Sequence, residues 1–326
     1  MELTLAKYDV SKVKSEYLAQ AGIRYAMNQI RLDTKDPQSS ATDTVYYCAI
    51  PQDEEYLPEK IFKNHQLESG YFDIVYRQRD PSRIDSESKK YYGLQDEERK
   101  VNINSLIAPQ NLKVFSSLLT LLGFDSQIAE TISGSVKDWI DSDNVVSNDP
   151  YGAEDDYYMS LDNPYHCKNQ PLDSLEELLL VKGMTREIFT AIKDYLTIFP
   201  KQGGGLRINF ETASETVLKA LARSGTGAAT NTNVFDADSL VEKISRYQQG
   251  SDGVRYTADD VLVDMNQLSL SLSETAVFQV MNQFRTMRSD YLRIRAKGVE
   301  KERKIKTVFE VVVFRDNLTI LSSSIQ

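Results

Sequence analysis

Asp141 and Asp143 stand two residues apart in "DWIDSDNVVSNDPYGAEDDYYMSLDNPYHCKN" (138–169), and Glu154, Asp155 and Asp156 follow on the far side of Pro150 and Gly152. Carboxylates this dense repel one another, so the segment is either solvated and loose or drawn together by something positive. Calcium takes six to eight oxygen ligands, and acidic loops broken by glycine and carbonyl-rich turns supply them. The spacing therefore predicts a calcium site built from Asp141, Asp143, Glu154, Asp155 and Asp156, with Pro150 and Gly152 bending the chain back on itself. The plainer alternative is a solvated acidic loop. Trp139, Tyr151, Tyr157, Tyr158 and Tyr165 argue for order, because disordered acidic segments are poor in aromatic residues.

A second calcium candidate is "GSDGVRYTADDVLVD", with Asp252, Asp259 and Asp260 around Gly253. The same residues also make an ordinary turn followed by a helix capped by Thr257, in which acidic groups favour the first turn. His166 and Cys167 are adjacent, a poor arrangement for chelating zinc, and no phosphate-binding, dinucleotide or nucleophile-elbow motif occurs. A hydrolase would need two carboxylates at fixed separation in a cleft, and so many acidic candidates single out no pair. The sequence displays no catalytic machinery.

The 326 residues, 41% hydrophobic and 26% charged, suffice for two domains. A net charge of −10 disfavours nucleic acid and anionic membranes as partners. Cys48 and Cys167 allow at most one disulfide, so cysteine usage leaves the compartment open. No apolar run reaches the ~20 residues of a membrane span, and "MELTLAKYDV" is no signal peptide.

The elements that must position these groups follow from periodicity. Tyr8, Val10, Val13, Tyr17, Leu18, Ala21, Tyr25 and Met27 recur at helical spacing, which predicts one long helix from residue 5 to about 32. Runs rich in Val, Tyr and Ile predict strands near 44–50 and 71–78 and a short one at "RKVNI" (99–103). From residue 104 onward helical patterns dominate, and from Ser289 strands return around a charged turn at 300–304. The expected fold class is α+β: a long helix with an antiparallel sheet in residues 1–103 and 288–326, and an α-helical domain inserted at 104–287.

"SLEELLLVKGMTREIFTAI" reads as two helices around Val181-Lys182-Gly183-Met184, and "NFETASETVLKAL" as the opening of a similar unit. Such helix-hairpin-helix elements can offer backbone N–H groups to DNA phosphate, which keeps a nucleic-acid-binding module as the alternative function. Leu178, Leu179, Val181, Met184, Ile188 and Ile192 would equally serve to pack two helices, and Glu176, Glu177 and Glu187 surround the basic residues.

Three blocks taken in order, "DEERKVNIN", "DWIDSDNVVSNDPYGAEDDYY" and "KNQPLDSLEELLLVKGMTREIF", behind a long N-terminal helix, resemble the GspK family of large minor pseudopilins of bacterial type II secretion. The resemblance implies a pilin fold interrupted by a helical insertion, a place at the pseudopilus tip with minor pseudopilins of the I and J classes, and calcium binding. It also implies a periplasmic protein anchored in the inner membrane by a helix preceded by a cleaved leader, neither of which is in this sequence, so Met1 is expected to replace a removed membrane half. By position the resemblance puts the metal at the acidic block. The expected partner face is Val10, Val13, Tyr17 and Ala21 on the first helix, with a free upper surface that could meet secreted substrates or the outer-membrane channel.

Overall fold

The computed structural model describes residues 2–35, 58–78, 89–147, 150–227, 230–253 and 261–326. The strand expected near 44–50, Cys48, Thr257, Asp259 and Asp260 lie outside the described residues. The chain divides into two compact units, one comprising Met1–Glu97, Gln248–Leu262 and Met287–Gln326, the other Glu98–Tyr247 and Val263–Thr286.

The first unit is a helix on a sheet. Glu2–Lys35 is one uninterrupted α-helix, as a glycine-poor, proline-free stretch permits. The sheet runs in the order His65–Leu67, Gly70–Gln78, Tyr291–Glu300, Lys306–Phe314, Thr319–Ile325, with Lys89–Tyr92 added to the second of these and Gln95–Asp96 to the third. All pairings are antiparallel, with Ile74 opposite Ala296 and Ile294 opposite Val311. Along Tyr291–Glu300 the side chains alternate half-buried and buried, so Leu292, Ile294 and Ala296 face inward. There they meet Ile23, Ala26 and Ile30 of the helix, together with Phe72, Ile74, Val311 and Val313.

Helix and sheet approach closely because the contact is made by small residues. A side chain at Gly298 would fall onto the backbone of Ser15 and Ala19, and one at Gly22 onto Ala296. Ser15 and Thr307 share a buried hydrogen bond of 2.6 Å across this seam. At the other end of the helix Arg315, fully buried, lies 3.2 Å from the Asp33 carboxylate. The helix face toward the sheet is thus Ser11, Ser15, Leu18, Ala19, Ile23, Ala26 and Ile30. The conspicuous Tyr and Val positions do not lead it.

The second unit is helical: Pro109–Leu121, Ser126–Ile140, Asp155–Met159, Arg186–Ile192, Glu215–Ser224, Val234–Gln248 and Leu272–Asn282. Several starts are set by local hydrogen bonds. Asp125 caps Gln127 N–H, Thr185 caps Ile188 N–H, and Ser271 with Glu274 forms a reciprocal capping box. The expected strand at 99–103 is only Val101–Asn102, and it pairs in parallel with Leu196–Thr197 of the helical unit. For that reason the units part at 97/98, where the sequence suggested 103/104. Residues Gln248–Leu262, expected inside the helical domain, group with the sheet-bearing unit.

Candidate metal centre

The last turn of Ser126–Ile140 launches the acidic loop, and the short helix Asp155–Met159 receives it. Between them the chain doubles back so that one oxygen from each of Asp141, Asp143 and Glu154 lies within 4.8 Å of the others. Asp141 is 8% exposed and Glu154 4%, while Asp143 is open to solvent. Asp141 Oδ1 and both Glu154 oxygens are buried without a hydrogen-bond partner. Buried polar atoms are nearly always paired, so these three orphaned carboxylate oxygens call for a cation, protons or bound water.

Electrostatics agree with the geometry. Burial first, then the neighbouring charges of Asp143 and Asp138, pushes Asp141 up to about 6. Burial, followed by Asp138, Asp141 and Asp143, pushes Glu154 up to about 7. The cluster therefore resists full ionisation on its own. A hard divalent ion would relieve desolvation and repulsion together, and all-oxygen donors of this kind suit calcium. The residues present fit the ion that the sequence suggests.

Of the five predicted ligands the structure brings together three. Asp155 is turned elsewhere: its carboxylate accepts from Cys167 N–H (2.9 Å) and pairs with His166 (3.0 Å), and these contacts, His166 first, hold its pKa below the usual range. Asp156 is exposed and lies outside the cluster. The reason is helical: once Asp155 and Asp156 enter the first turn of Asp155–Met159 they point around its circumference, and only Glu154, the residue before it, faces the loop. In the second candidate loop Asp252 is exposed.

Asp138 and Asn169, which the sequence did not flag, belong to the surroundings of the cluster. Asp138 is fully buried and accepts Ser147 N–H (3.0 Å) and Ala153 N–H (2.8 Å) on its two oxygens. Asn169 donates to Asp143 O (3.1 Å) and Asn144 Oδ1 (2.8 Å), leaving its own Oδ1 buried and unpartnered beside the loop. Trp139 packs edge-on to Tyr158 and Tyr165, with ring centroids 5.1 and 6.2 Å apart, which is the order that the aromatic content foretold. Cys167 is a buried thiol that burial pushes up to about 12, inert as a nucleophile.

The hairpin that resembled a phosphate grip has another occupation. Leu175–Leu180 is a 3-10 helix, and Gly183, at φ 83°, packs against Thr131 and Ile132. Lys182, its cation, donates to Gly152 O (2.8 Å) and Pro150 O (3.2 Å) and lies over the Tyr157 ring. The cation of the turn is thus engaged with the acidic loop, unlike that of a hairpin offered to a phosphate.

On the first helix Val10, Val13 and Tyr17 are 55%, 47% and 67% exposed. Ala21, expected with them, is half-buried and packs against the core of its unit, because it lies where the helix rolls toward the sheet.

A long helix on an antiparallel sheet, interrupted in sequence by a helical unit bearing an acidic site, is a pilin-like α+β architecture. Residues 99–201, which carry both the acidic loop and the hairpin, match the family model "Type II secretion system (T2SS), protein K". The chain is 36% identical over 110 residues to type II secretion system protein K of Pectobacterium carotovorum subsp. carotovorum, covering 34% of this chain and 33% of that protein. It is 31% identical over 153 residues to putative type II secretion system protein K of Escherichia coli strain K12, covering 46% and 44%. The aligned stretches thus span a third to under half of these relatives. Among solved structures, a chain of the GspK-GspI-GspJ complex of the type 2 secretion system of enterotoxigenic Escherichia coli shares the fold, with TM-score 0.64, 17% identity, and coverage of 100% of this chain and 99% of that one.

Proposed function

We propose that the protein is a minor pseudopilin that caps the tip of a type II secretion pseudopilus together with partners of the I and J classes and supports protein export across the outer membrane. The observation that carries this reading is coincidence: the matched family segment, 99–201, contains the whole converging cluster of Asp141, Asp143 and Glu154. The role is structural, not enzymatic. The protein works in the periplasm, held to the inner membrane through an N-terminal helical segment; among the described residues no helix is long and apolar enough to cross a membrane.

Assembly uses the exposed face of Glu2–Lys35. Val10, Val13 and Tyr17 lie opposite the sheet-bound side, where an isolated protein gains nothing from apolar groups. The test is co-purification with I- and J-class partners. Val13→Glu with Tyr17→Glu should leave the melting temperature of the isolated protein unchanged, since both sites are exposed, and abolish the complex. An intact complex would refute this face.

Calcium belongs to the same reading. Asp141, Asp143 and Glu154 would hold it, and it would supply the positive charge that lets these carboxylates ionise while buried. Calcium added to chelator-stripped protein should saturably change Trp139 fluorescence and raise the melting temperature, with magnesium as control. No response in either signal would remove the metal from the reading.

A further inference from the structure

The loop between the ligands is held by two opposite charges that are not ligands. Asp138 uses both oxygens on backbone N–H groups of Ser147 and Ala153, so one fully buried carboxylate grips two points of the loop. Lys182 reaches from the hairpin and draws in the carbonyls of Pro150 and Gly152. Ser135 Oγ takes the carbonyl between them, Tyr151 O, at 3.1 Å. Gly152 is needed for this fit: a side chain there would run into the Asp138 carboxylate and crowd Val146. Gly134 lets the loop backbone cross the helix, since a Cβ there would stand 3.2 Å from Gly152 N. The carbonyls of 150, 151 and 152 and the amide of 153 are therefore all fixed, and Glu154 is the next residue.

We propose that Asp138 and Lys182 are positioning residues for the cation site: an internal anion and an internal cation that fix Ser147 and residues 150–153 so that Glu154 meets Asp141 and Asp143. Neither touches the ion. Asp138 has both oxygens engaged by backbone N–H groups and lies outside the converging cluster, and Lys182 carries the wrong charge. The hairpin turn is thus a clamp on a metal loop. This rests on the reading of the cluster as a calcium site.

The sign of one substitution separates positioning from simple electrostatics. Removing a positive charge near a cation site strengthens cation binding by Coulomb's law. Losing a group that orients the ligands weakens it, commonly by about 10–100-fold. The experiment is calorimetric titration of calcium into chelator-stripped full chain, comparing the original protein with Lys182→Met, Lys182→Arg and Asp138→Asn, with circular dichroism of each before metal. Positioning predicts weaker binding for K182M, partial recovery for K182R and weaker binding for D138N. Tighter or unchanged binding in a folded K182M overturns the proposal even if D138N weakens, because D138N also removes an attractive charge. If D138N does not fold, K182M decides alone, since Lys182 is half-buried and Met keeps an aliphatic stem in its place. Absence of calcium uptake by the original protein would instead overturn the metal reading on which the proposal rests.

Discussion

Replacing Glu154 with Gln tests the site through its charge. In the folded chain Glu154 is pushed from 4.5 to about 7, first by burial and then by Asp138, Asp141 and Asp143. At ~1.4 kcal/mol per pKa unit, ionising it in place costs ~3 kcal/mol. Because the folded pKa is the higher one, this stability is fully present below pH 4.5 and lost as pH rises through about 7. Metal-free protein should therefore lose ~3 kcal/mol between those limits relative to E154Q, whose amide does not titrate. A buried amide without partners has its own penalty, about 1–3 kcal/mol, but it is the same at every pH. The informative quantity is the change with pH in the difference between the two proteins. For a cooperative unit the size of Glu98–Tyr247 with Val263–Thr286, ~3 kcal/mol corresponds to ~6–12 °C in melting temperature. Melts at pH 5 and 8 in chelator, then in calcium, provide the measurement. E154Q should gain on the original protein toward pH 8 without metal, and calcium should reverse the order, since a ligand at 100 times its Kd adds ~2.7 kcal/mol only to the protein that binds it. A pH-independent difference would show that Glu154 is not a desolvated charge. A full calcium response in E154Q would remove it from the ligand set.

Two substitutions address the frame of the helix-on-sheet unit. Asp33→Ala leaves the Arg315 guanidinium fully buried beside an emptied partner and should cost about 3–5 kcal/mol in urea unfolding, whereas Asp33→Leu with Arg315→Met should cost much less than either change alone. Gly298→Ala forces a methyl group onto the backbone of Ser15 and should cost about 1–3 kcal/mol; a neutral result would mean that the helix seats less tightly on the strand than Gly298 implies.

Fold class was legible because it rests on local patterns. The alternation through Leu292, Ile294 and Ala296 and the uninterrupted helical spacing of the first helix can be read one segment at a time. The inward face of the first helix was not, because it is made of Ser11, Ser15, Ala19 and Gly22 where strand and helix nearly touch, and small residues give a weak hydrophobic period. Val101–Asn102 looked like a continuation of the sheet; its partner, Leu196–Thr197, is far along the chain and carries no signal of the pairing.

The site shows the same division more sharply. Acidic spacing pointed to the loop in which Asp141, Asp143 and Glu154 come together, yet a carboxylate's duty depends on which donors reach it first, and donors are chosen by the fold. Asp138 is covered by two loop amides and Asp155 by Cys167 N–H and His166, so both are already satisfied. Asp141 Oδ1 and the Glu154 oxygens are the ones that no donor reaches. Adding a cation to a loop whose every carboxylate was paired would gain little, and adding one to a loop with none paired would leave nothing to hold its shape. Here Asp138 and Lys182 fold the loop with some of its charges and leave the rest converging. The crowding that looked like a solubility device is thereby split into charges that build the loop and charges that the loop presents.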